Sequence, residues 1–527
     1  MPLQLFGDFD FVGGDDTAAN PYQDRQQTIN WYVEVSPSKA AKEVTALLGT
    51  PGLIQLATAG PTLPPLGTTW PAPSSITNLP VRGAWVLPGY KQAICVIGNG
   101  CYLVQIISLG SSTTPGTLGM TRVGSLASSS GPVSIRDLGV AGGVAFIVDG
   151  TPYGGYWYVY GSNPIGAIGS LVQTKDPNFL GSNLLAYIDG WLVCNKPGSQ
   201  TFYTNAQPYS TAFNGSYFAL KDASSDLLMG VIESKEELWL PGERTTEIWY
   251  DAGGAYFPFQ RLVGTMLQVG CKATYSIARL NSEGQDGLIW FGRSDRGENV
   301  VIRTAGFSAD TVSTPAVSDA IAKYTTTADA VGYTYQEDTH EFYVLSFPTA
   351  DRTWVYDATL PPSLAWHQRL SYDPYAAQFH RHRSNCFMNF AGMRIVGDYQ
   401  NGSLYQMTRS AYTDAGWPIL ARRRSPHIWN RENRERVAMQ SLQIDFAPGQ
   451  GTASGLGADP IANLRMSRDG GTTFGPQNPR SIGKMGEYQN RAIWRRLGFT
   501  RDTVAEIEVI SPVNRDIVGA TLRAGGV

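Results

Sequence analysis

The stretch LLAYIDGWLVCNKPGSQTFYTN, from Leu184 to Asn205, has the pattern of three short β-strands joined by two tight turns. Asp189-Gly190 suits the first turn, because both central residues of a two-residue hairpin turn need a positive φ and these residue types tolerate it. Pro197-Gly198 lies inside the second turn, Lys196–Gln200. The pattern predicts an antiparallel meander with strands at Leu184–Ile188, Trp191–Asn195 and Thr201–Asn205.

Six further stretches between residues 81 and 407 repeat this meander. The third strands of the seven begin near residues 101, 156, 201, 246, 300, 353 and 403, at a spacing of about 50 residues, and several stretches carry a candidate fourth strand. A four-stranded antiparallel sheet with this period is typical of a β-propeller blade, because blades that stack radially bury both faces of each sheet. The sequence therefore predicts an all-β fold with a β-propeller of about seven blades over residues 81–415, and six or eight blades also fit the pattern.

The composition fits a folded chain of many short strands and excludes several classes of protein. The 527 residues are 42% hydrophobic and 16% charged, with a formal net charge of −3, 58 Gly and 32 Pro. The five cysteines are too few and too scattered for a disulfide framework. The N-terminus lacks the basic-then-apolar order of a signal peptide, and no apolar run approaches the roughly 18 residues of a membrane span. We expect a protein that is made in a cytoplasm.

The segments that flank the predicted propeller differ from it. Residues 1–80 include a loop rich in Pro, Thr, Ser and Gly, and we expect them to form an extended N-terminal arm that docks on a neighbouring surface. Whether this arm closes the propeller or joins the C-terminal module stays open. Residues 438–527 carry five strand-like runs, which predicts a β-sandwich or barrel-like module. Residues 416–437, with six arginines and two glutamates, have the composition of a basic linker.

Basic charge is concentrated towards the C-terminal end. From residue 421 on, 16 Lys and Arg oppose 10 Asp and Glu, which leaves 25 against 34 in the preceding chain. This split suits an electrostatically matched partner, and an ordinary solvated mix of charges is the alternative. The arginines of the linker are candidate contacts for DNA phosphates or for an acidic partner, unless the linker is merely solvated. These candidates are Arg422, Arg423, Arg424, Arg431, Arg434 and Arg436. We expect that replacing Arg422–Arg424 by Ser weakens docking and leaves the Tm nearly unchanged.

Two local patterns suggest a site. The run His380-Arg381-His382-Arg383 places two histidines at i and i+2, where they share one face of a strand and begin a possible metal site. No third ligand is indicated, so two histidines on a strand surface are the favoured explanation of the pattern. The stretch SRDGGTTF, Ser467 to Phe474, resembles the Asp-box of sialidases, S-x-D-x-G-x-T-W, with Phe in place of Trp. It predicts a hairpin in which Asp469 accepts backbone hydrogen bonds.

The sequence contains none of the common catalytic signatures. It has no G-x-S-x-G, P-loop or H-E-x-x-H motif, and no pair of carboxylates stands out for glycoside hydrolysis. We therefore predict that the chain is not an enzyme and needs no cofactor or metal.

Three features resemble the tail hub, or nozzle, family of short-tailed bacteriophages, whose members are called packaged DNA stabilization proteins or tail accessory factors. The first is TINWYVEV followed by LLGTPGL, the second is the long propeller-like middle, and the third is the order NLRMSRDGGTTFGP, RAIWRRLGFTRD and IEVISPV near the end. Together they span most of the chain. They form a fold pattern, so no residue-level site is implied.

The resemblance implies a structural protein of the virion tail that is assembled in the cytoplasm of the host bacterium. Such a protein forms a homohexameric ring below the portal and its adaptor ring, extends the DNA channel and makes non-specific contacts with double-stranded DNA. It helps to retain the packaged genome before DNA ejection, and it anchors tail fibres, tailspikes or a needle. A propeller protein that binds glycans, or hydrolyses them in the manner of a sialidase, is the alternative function.

Overall fold

Seven antiparallel sheets of at least four strands follow one another along the described part of the chain. The computed structural model describes residues 9–20, 22–38, 43–59, 78–89, 91–109, 116–254, 257–280, 287–295, 297–430 and 434–526. Blade 1 consists of Val81–Val86, Gln92–Ile97, Gly100–Ser108 and Thr117–Ser125. Blade 2 consists of Ser134–Asp137, Val144–Val148, Gly155–Val159 and Leu171–Gln173. Blade 3 consists of Leu185–Ile188, Trp191–Asn195, Thr201–Asn205 and Phe213–Leu220.

The remaining blades continue this order. Blade 4 consists of Ile232–Ser234, Glu237–Pro241, Thr246–Asp251 and Phe259–Arg261. Blade 5 consists of Gly270–Cys271, Ala278–Leu280, Gly287–Ser294, Gly297–Ala305 and Ser308–Thr311. Blade 6 consists of Val331–Glu337, His340–Phe347, Arg352–Asp357 and Trp366–Gln368. Blade 7 consists of Ser384–Phe390, Met393–Asp398, Ser403–Thr408 and Gly52–Thr58, with the short strands Thr413–Asp414 and Trp417–Pro418 at its edge.

The blades form a closed propeller because each packs on two neighbours. Val144–Val148 shows how the sequence achieves this, since all five of its residues are buried. Successive side chains of a strand point to opposite faces, so Phe146 packs against blade 3 while Ile147 packs against blade 1. Equivalent apolar clusters lie between all other successive blades, and the cluster that contains Leu56 and Met388 joins blade 7 to blade 1. The predicted all-β propeller of about seven blades is confirmed.

The meander that was predicted at Leu184–Asn205 is the inner three strands of blade 3. Asp189 and Gly190 have φ values of 51° and 87°, as the two-residue turn requires. Cys194 is fully buried in the cluster between blades 2 and 3, and Trp191 packs against the cluster between blades 3 and 4. Both residues therefore serve the packing of adjacent blades.

The C-terminal module is a β-sandwich of two sheets around one apolar core that includes Trp31, Leu442 and Trp494. Its five-stranded sheet has the order Trp31–Val35, Thr45–Gly49, Ile517–Gly526, Val437–Phe446 and Ala492–Thr500. Its second sheet has the order Arg25–Ile29, Ala421–Arg424, Asp502–Val509, Ile461–Ser467 and Asn478–Ser481, with Asp16–Thr17 and Ile428–Trp429 beside it.

Propeller and sandwich share one sheet. Arg25–Ile29 pairs in parallel with Trp366–Gln368, the outer strand of blade 6, and in antiparallel with Ala421–Arg424 of the sandwich. The result is a continuous sheet of eleven strands within the described residues. The backbone hydrogen bonds of this sheet couple the propeller directly to the C-terminal module.

The N-terminal segment both closes the propeller and joins the C-terminal module, the two possibilities that the sequence left open. Gly52–Thr58 pairs with Ser403–Thr408 and supplies the fourth strand of blade 7, so the two ends of the propeller are closed by strands distant in sequence. Trp31–Val35 and Thr45–Gly49 lie in the sandwich. Residues 25–58 do not form an extended arm, because Arg25–Ile29, Thr45–Gly49 and Gly52–Thr58 each pair with a strand several hundred residues away. Residues 60–77 lie outside the described residues.

The expected linker, residues 416–437, contributes several short strands to the fold. Ala421–Arg424 lies in the interior of the second sheet of the sandwich. The short strands Trp417–Pro418 and Ile428–Trp429 precede and follow it in the sequence. The sequence pattern made the arginines at these positions candidate partner contacts or part of a solvated linker, whereas in the fold they bind acceptors from other segments of the chain.

Helices are few and short in the described chain. They are Gly139–Gly142, Pro315–Ala322 and Pro362–Ala365, with 3₁₀ turns at Thr274–Ser276 and Gly455–Gly457. A hairpin of Leu370–Asp373 and Gln378–Arg381 stands between blades 6 and 7. None of the helices in the described ranges has the length and apolar character that a membrane span needs.

Candidate partner-contacting surfaces

Arg423 is a buried structural anchor and is not available to a partner. The strand Ala421–Arg424 turns this residue towards the sandwich core, where it is fully buried. Its guanidinium donates to the carbonyl oxygens of Phe11 and Gly14 at 2.7 and 2.9 Å, and to Thr28 Oγ1 at 2.8 Å. It also donates to Gln26 Oε1 at 2.5 Å. All four acceptors belong to the N-terminal segment, so this one side chain holds that segment against the C-terminal module.

Arg422 and Arg424 point to the opposite face of the same sheet, where each meets a glutamate of the neighbouring strand. Arg422 Nη2 lies 2.6 Å from Glu508 Oε1, and Arg424 Nε lies 2.7 Å from Glu506 Oε2. Arg465 contributes a further cation to the fully buried Glu506, at 3.1 Å. The side chains of Arg422 and Arg424 are each only 21% exposed. The charges of Arg422 and Arg424 are therefore paired with carboxylates within the fold.

Aromatic rings cover the guanidinium planes of this ladder. The Cζ atom of Arg422 lies 5.0 Å from the ring centroid of Phe379, and that of Arg424 lies 4.7 Å from Phe474. Cation–π contacts of this kind are stronger where water is excluded. Strand alternation sends one of these three arginines inward and pairs the other two with carboxylates, which a sequence pattern alone does not reveal.

The remaining candidate arginines differ from the triplet. Arg434 and Arg436 are exposed at the start of the strand Val437–Phe446, and Arg434 Cζ lies 5.6 Å from the ring of Trp429. Arg431 lies outside the described residues. Two of the six predicted contact residues thus remain accessible in the described structure.

A second basic surface, which sequence inspection missed, lies on the edge strand Ala492–Thr500. This strand is the outermost of the five-stranded sheet, and it exposes Arg495, Arg496 and Phe499. Phe499 is 58% exposed. Arg491 and Arg501 are exposed at the two ends of the strand, and none of these four arginines has an ion-pair partner among the described residues. The signal in the sequence was the run RAIWRR, where arginines interrupt the apolar alternation of a strand.

A cavity of about 550 Å³ lies on the inner side of the same sheet, where the N-terminal segment, the helix Pro362–Ala365 and the sandwich meet. We call it the junction cavity. Its apolar walls include Phe9, Val12, Leu364, Ile428, Val437 and Leu522. Asp10 and Asp16 add two carboxylates, neither of which has an ion-pair partner in the described structure. Burial, together with the nearby charge of Asp24, raises the pKa of Asp16.

The predicted Asp-box hairpin is present between Ile461–Ser467 and Asn478–Ser481. The Asp469 carboxylate accepts hydrogen bonds from the hydroxyl of Ser467, from the hydroxyl and amide of Thr473, and from the amide of Thr472. These hydrogen bonds hold the pKa of Asp469 well below its usual range. Gly470 and Gly471 have φ values of 66° and 84°, which a residue with a Cβ adopts only with strain. The motif stabilises a turn.

The paired histidines do not share a site. His380 is partly exposed and its Nδ1 contacts the Asp351 carboxylate at 2.7 Å. His382 is buried with its Nδ1 at 2.7 Å from Ser384 Oγ, and burial lowers its pKa well below the usual value. The interpretation as two surface histidines is wrong for His382, because the chain enters the propeller interior between these residues. In the described ranges, no three potential ligand side chains converge to hold a metal ion.

A cavity of about 350 Å³ lies between the rims of blades 3, 4 and 5, and the carboxylates of Asp189, Glu233 and Glu236 line it. Glu233 pairs with Arg279, and Arg136 Nε lies 3.4 Å from Glu233. The three residues belong to blades 2, 4 and 5, so this carboxylate ties blades together.

The chain resembles solved structures of known proteins only weakly. No curated protein sequence matches the chain. Among solved structures, the Neurospora crassa Pan2 WD40 domain is similar at 7% identity and a TM-score of 0.35, covering 63% of this chain and 89% of that one. An exo-β-1,3-galactanase from Phanerochaete chrysosporium is similar at 10% identity and a TM-score of 0.26, covering 88% of this chain and 99% of that one. Scores this low carry no functional inference.

Family models give a direct assignment. The model of the bacteriophage P22 Gp10 β-propeller matches residues 95–412, and the model of the bacteriophage P22 Gp10 β-sandwich matches residues 423–525. The two matches occur in the order in which the structure places its propeller and its sandwich. They also identify a structural family rather than an enzyme family. The chain therefore belongs to the bacteriophage P22 Gp10 phage-stabilisation family, a family of virion tail components.

Proposed function

We propose that this protein is the subunit of a homohexameric tail nozzle ring that continues the DNA channel below the portal and its adaptor ring. The ring helps to retain packaged DNA and anchors tail fibres, tailspikes or a needle. The observation that carries this proposal is the pair of family matches, which together span the propeller and the sandwich of one chain.

The rigidity of the chain supports a load-carrying role. Each blade packs against two neighbours, and the eleven-stranded sheet joins the propeller and the sandwich through backbone hydrogen bonds into a single body. Such a body transmits force between rings without a flexible hinge. The exposed Arg434 and Arg436 are the members of the predicted set that we propose for non-specific contact with DNA phosphates.

Electron microscopy tests the proposal on the purified protein and on the phage particles. We expect rings with a central opening about as wide as duplex DNA, and the same density below the portal of the particle. A chain that is monomeric at all concentrations and absent from particles would refute the proposal. Binding or hydrolysis of oligosaccharides by such a monomer would favour the glycan alternative.

A second test concerns the DNA contacts. Replacing Arg434 and Arg436 by Ser should weaken binding to double-stranded DNA and reduce the slope of log affinity against log salt by about two, because each phosphate contact contributes a slope near one. A charge-conserving variant, with Lys at both positions, should retain most of the affinity. An unchanged salt slope in the Ser variant would exclude these residues from DNA contact.

A further inference from the structure

The edge strand Ala492–Thr500 has the features of a contact surface. Phe499 presents a large aromatic ring to solvent at 58% exposure, and Arg495 and Arg496 beside it are exposed without a carboxylate partner in the described chain. Aromatic residues and arginine are the side chains most enriched at the centres of protein interfaces. A strand edge also exposes unpaired backbone groups, which need cover by a partner or by charge.

The junction cavity has the complementary character. Its walls are apolar, its volume of about 550 Å³ accommodates an aromatic side chain, and its charged groups include the unpaired carboxylates of Asp10 and Asp16. An apolar cavity with acidic groups suits an aromatic residue flanked by arginines, because burial of the ring and pairing of the charges then occur together.

These two surfaces lie on opposite faces of the same sheet. Val437 lines the cavity from the inner face and pairs across strands with Thr500, while the next residue, Ala438, pairs with Phe499 on the outer face. One chain cannot bring Phe499 through its own sheet into its own cavity. A head-to-tail contact joins two different surfaces of the same molecule, and repeated contacts of this kind form a ring when the rotation between copies closes.

We propose that Phe499, flanked by Arg495 and Arg496, inserts into the junction cavity of the neighbouring copy of this chain. Phe499 fills the apolar space, and the arginines meet Asp10 and Asp16 of that copy. This inference rests on the proposed ring, since it supplies the contact between successive subunits.

Cysteine cross-linking tests the contact directly. Ser363 lies at the exposed wall of the cavity, so the double variant Ser363→Cys with Phe499→Cys places one thiol on each surface. Four of the five native cysteines are buried and the fifth is half-buried, so few cross-links should form through native cysteines. Mild oxidation of the assembled protein should give a ladder of covalent multimers, whereas either single variant should give no ladder.

Charge reversal provides a second, independent measurement. Arg495→Glu with Arg496→Glu should weaken ring association at least tenfold, and so should Asp10→Lys with Asp16→Lys. The chain that carries all four changes should regain association to within about threefold of the native protein. An unchanged Tm in each variant shows that folding is intact.

The outcomes separate this contact from the proposed function. If native rings form but the ladder is absent and charge reversal leaves association unchanged, the contact is wrong while the ring stands. A cross-link confined to monomers would show that positions 363 and 499 of one chain reach each other, and it would overturn the contact between copies. If no rings form and particles lack the protein, the proposed function itself fails.

Discussion

At the scale of the residue, Arg423 is the side chain on which the structure depends most visibly. A guanidinium that is fully buried and bonded to neutral acceptors cannot be removed without leaving those acceptors unsatisfied. We expect Arg423→Ala to lower the free energy of unfolding by about 3 kcal/mol or more, measured by guanidinium chloride titration. This expectation reverses the one drawn from sequence, in which Arg423 belonged to a partner-contacting cluster whose replacement leaves the Tm nearly unchanged.

Arg436 provides the matched control from the same predicted cluster. It is exposed and has no ion pair among the described residues, so Arg436→Ala should change the free energy of unfolding by no more than about 0.5 kcal/mol. Equal effects of the two substitutions would show that Arg423 does not hold the N-terminal segment.

His340 makes stability depend on pH. Its ring contacts Asp357 of blade 6 through Nδ1 and Glu34 of the sandwich through Nε2. Burial alone would lower the pKa of His340, but the hydrogen bonds and charges of Asp357 and Glu34 raise it to about 9. Since the folded state binds this proton more tightly than the unfolded state, the stabilisation is complete below about pH 6.5 and is lost as the pH rises through about 9.

The expected loss over this window is up to about 3 kcal/mol, and thermal unfolding followed from pH 6 to pH 10 would detect it. His340→Gln retains a polar side chain of similar size without the charge, so it should flatten this part of the profile. A variant that keeps the native pH profile would assign the dependence to other groups.

At the scale of the element, the hairpins could be predicted and the long-range strands could not. The second and third strands of blade 3, Trp191–Asn195 and Thr201–Asn205, occur where the turn residues placed them, because a hairpin is specified locally. The Asp469 turn was predictable for the same reason. Ala421–Arg424 has no local signal, since its strand character comes from Arg25–Ile29 and Asp502–Val509, which lie far away in sequence.

The candidate surfaces also differ in how far local sequence could predict them. Exposed arginines could be suspected from the charge of the C-terminal region, but strand alternation decided which ones are free. The junction cavity could not be predicted, because Asp10, Leu364 and Val437 come from three separate parts of the chain.

The strand Gly52–Thr58 gives a test of propeller closure. Leu53 is 1% exposed in the core between blades 6 and 7, and Leu47 is fully buried in the sandwich core. Leu53→Ala and Leu47→Ala should each destabilise by about 2–5 kcal/mol. The two leucines lie on successive strands of one N-terminal segment, which links both modules. We therefore expect each substitution to shift the same single unfolding transition.

Differential scanning calorimetry with circular dichroism would check this coupling. Leu456→Ala, at a site with 66% exposure, is the surface control and should leave the transition in place. Two separate transitions, each moved by only one of the buried substitutions, would show that propeller and sandwich unfold independently.

At the scale of the whole molecule, the family matches and the structure divide the chain differently. The matches end the propeller at residue 412 and begin the sandwich at residue 423. In the structure, both modules are incomplete without the N-terminal segment, which supplies one strand to blade 7 and four to the sandwich. A boundary drawn from sequence continuity therefore does not define a unit that folds alone.

A fragment of residues 416–527 tests this conclusion. Without the N-terminal segment, Ala421–Arg424 and Ile517–Gly526 each lose a neighbouring strand, the core loses Trp31, and Arg423 loses all four acceptors. We expect the fragment to give the poorly dispersed amide NMR spectrum of an unfolded chain. Joining residues 9–59 to its N-terminus through a flexible linker should restore a dispersed spectrum, whereas joining the same residues with Arg423→Ala should not. A folded spectrum from residues 416–527 alone would show that the sandwich core suffices, and that the N-terminal strands add only the attachment to the propeller.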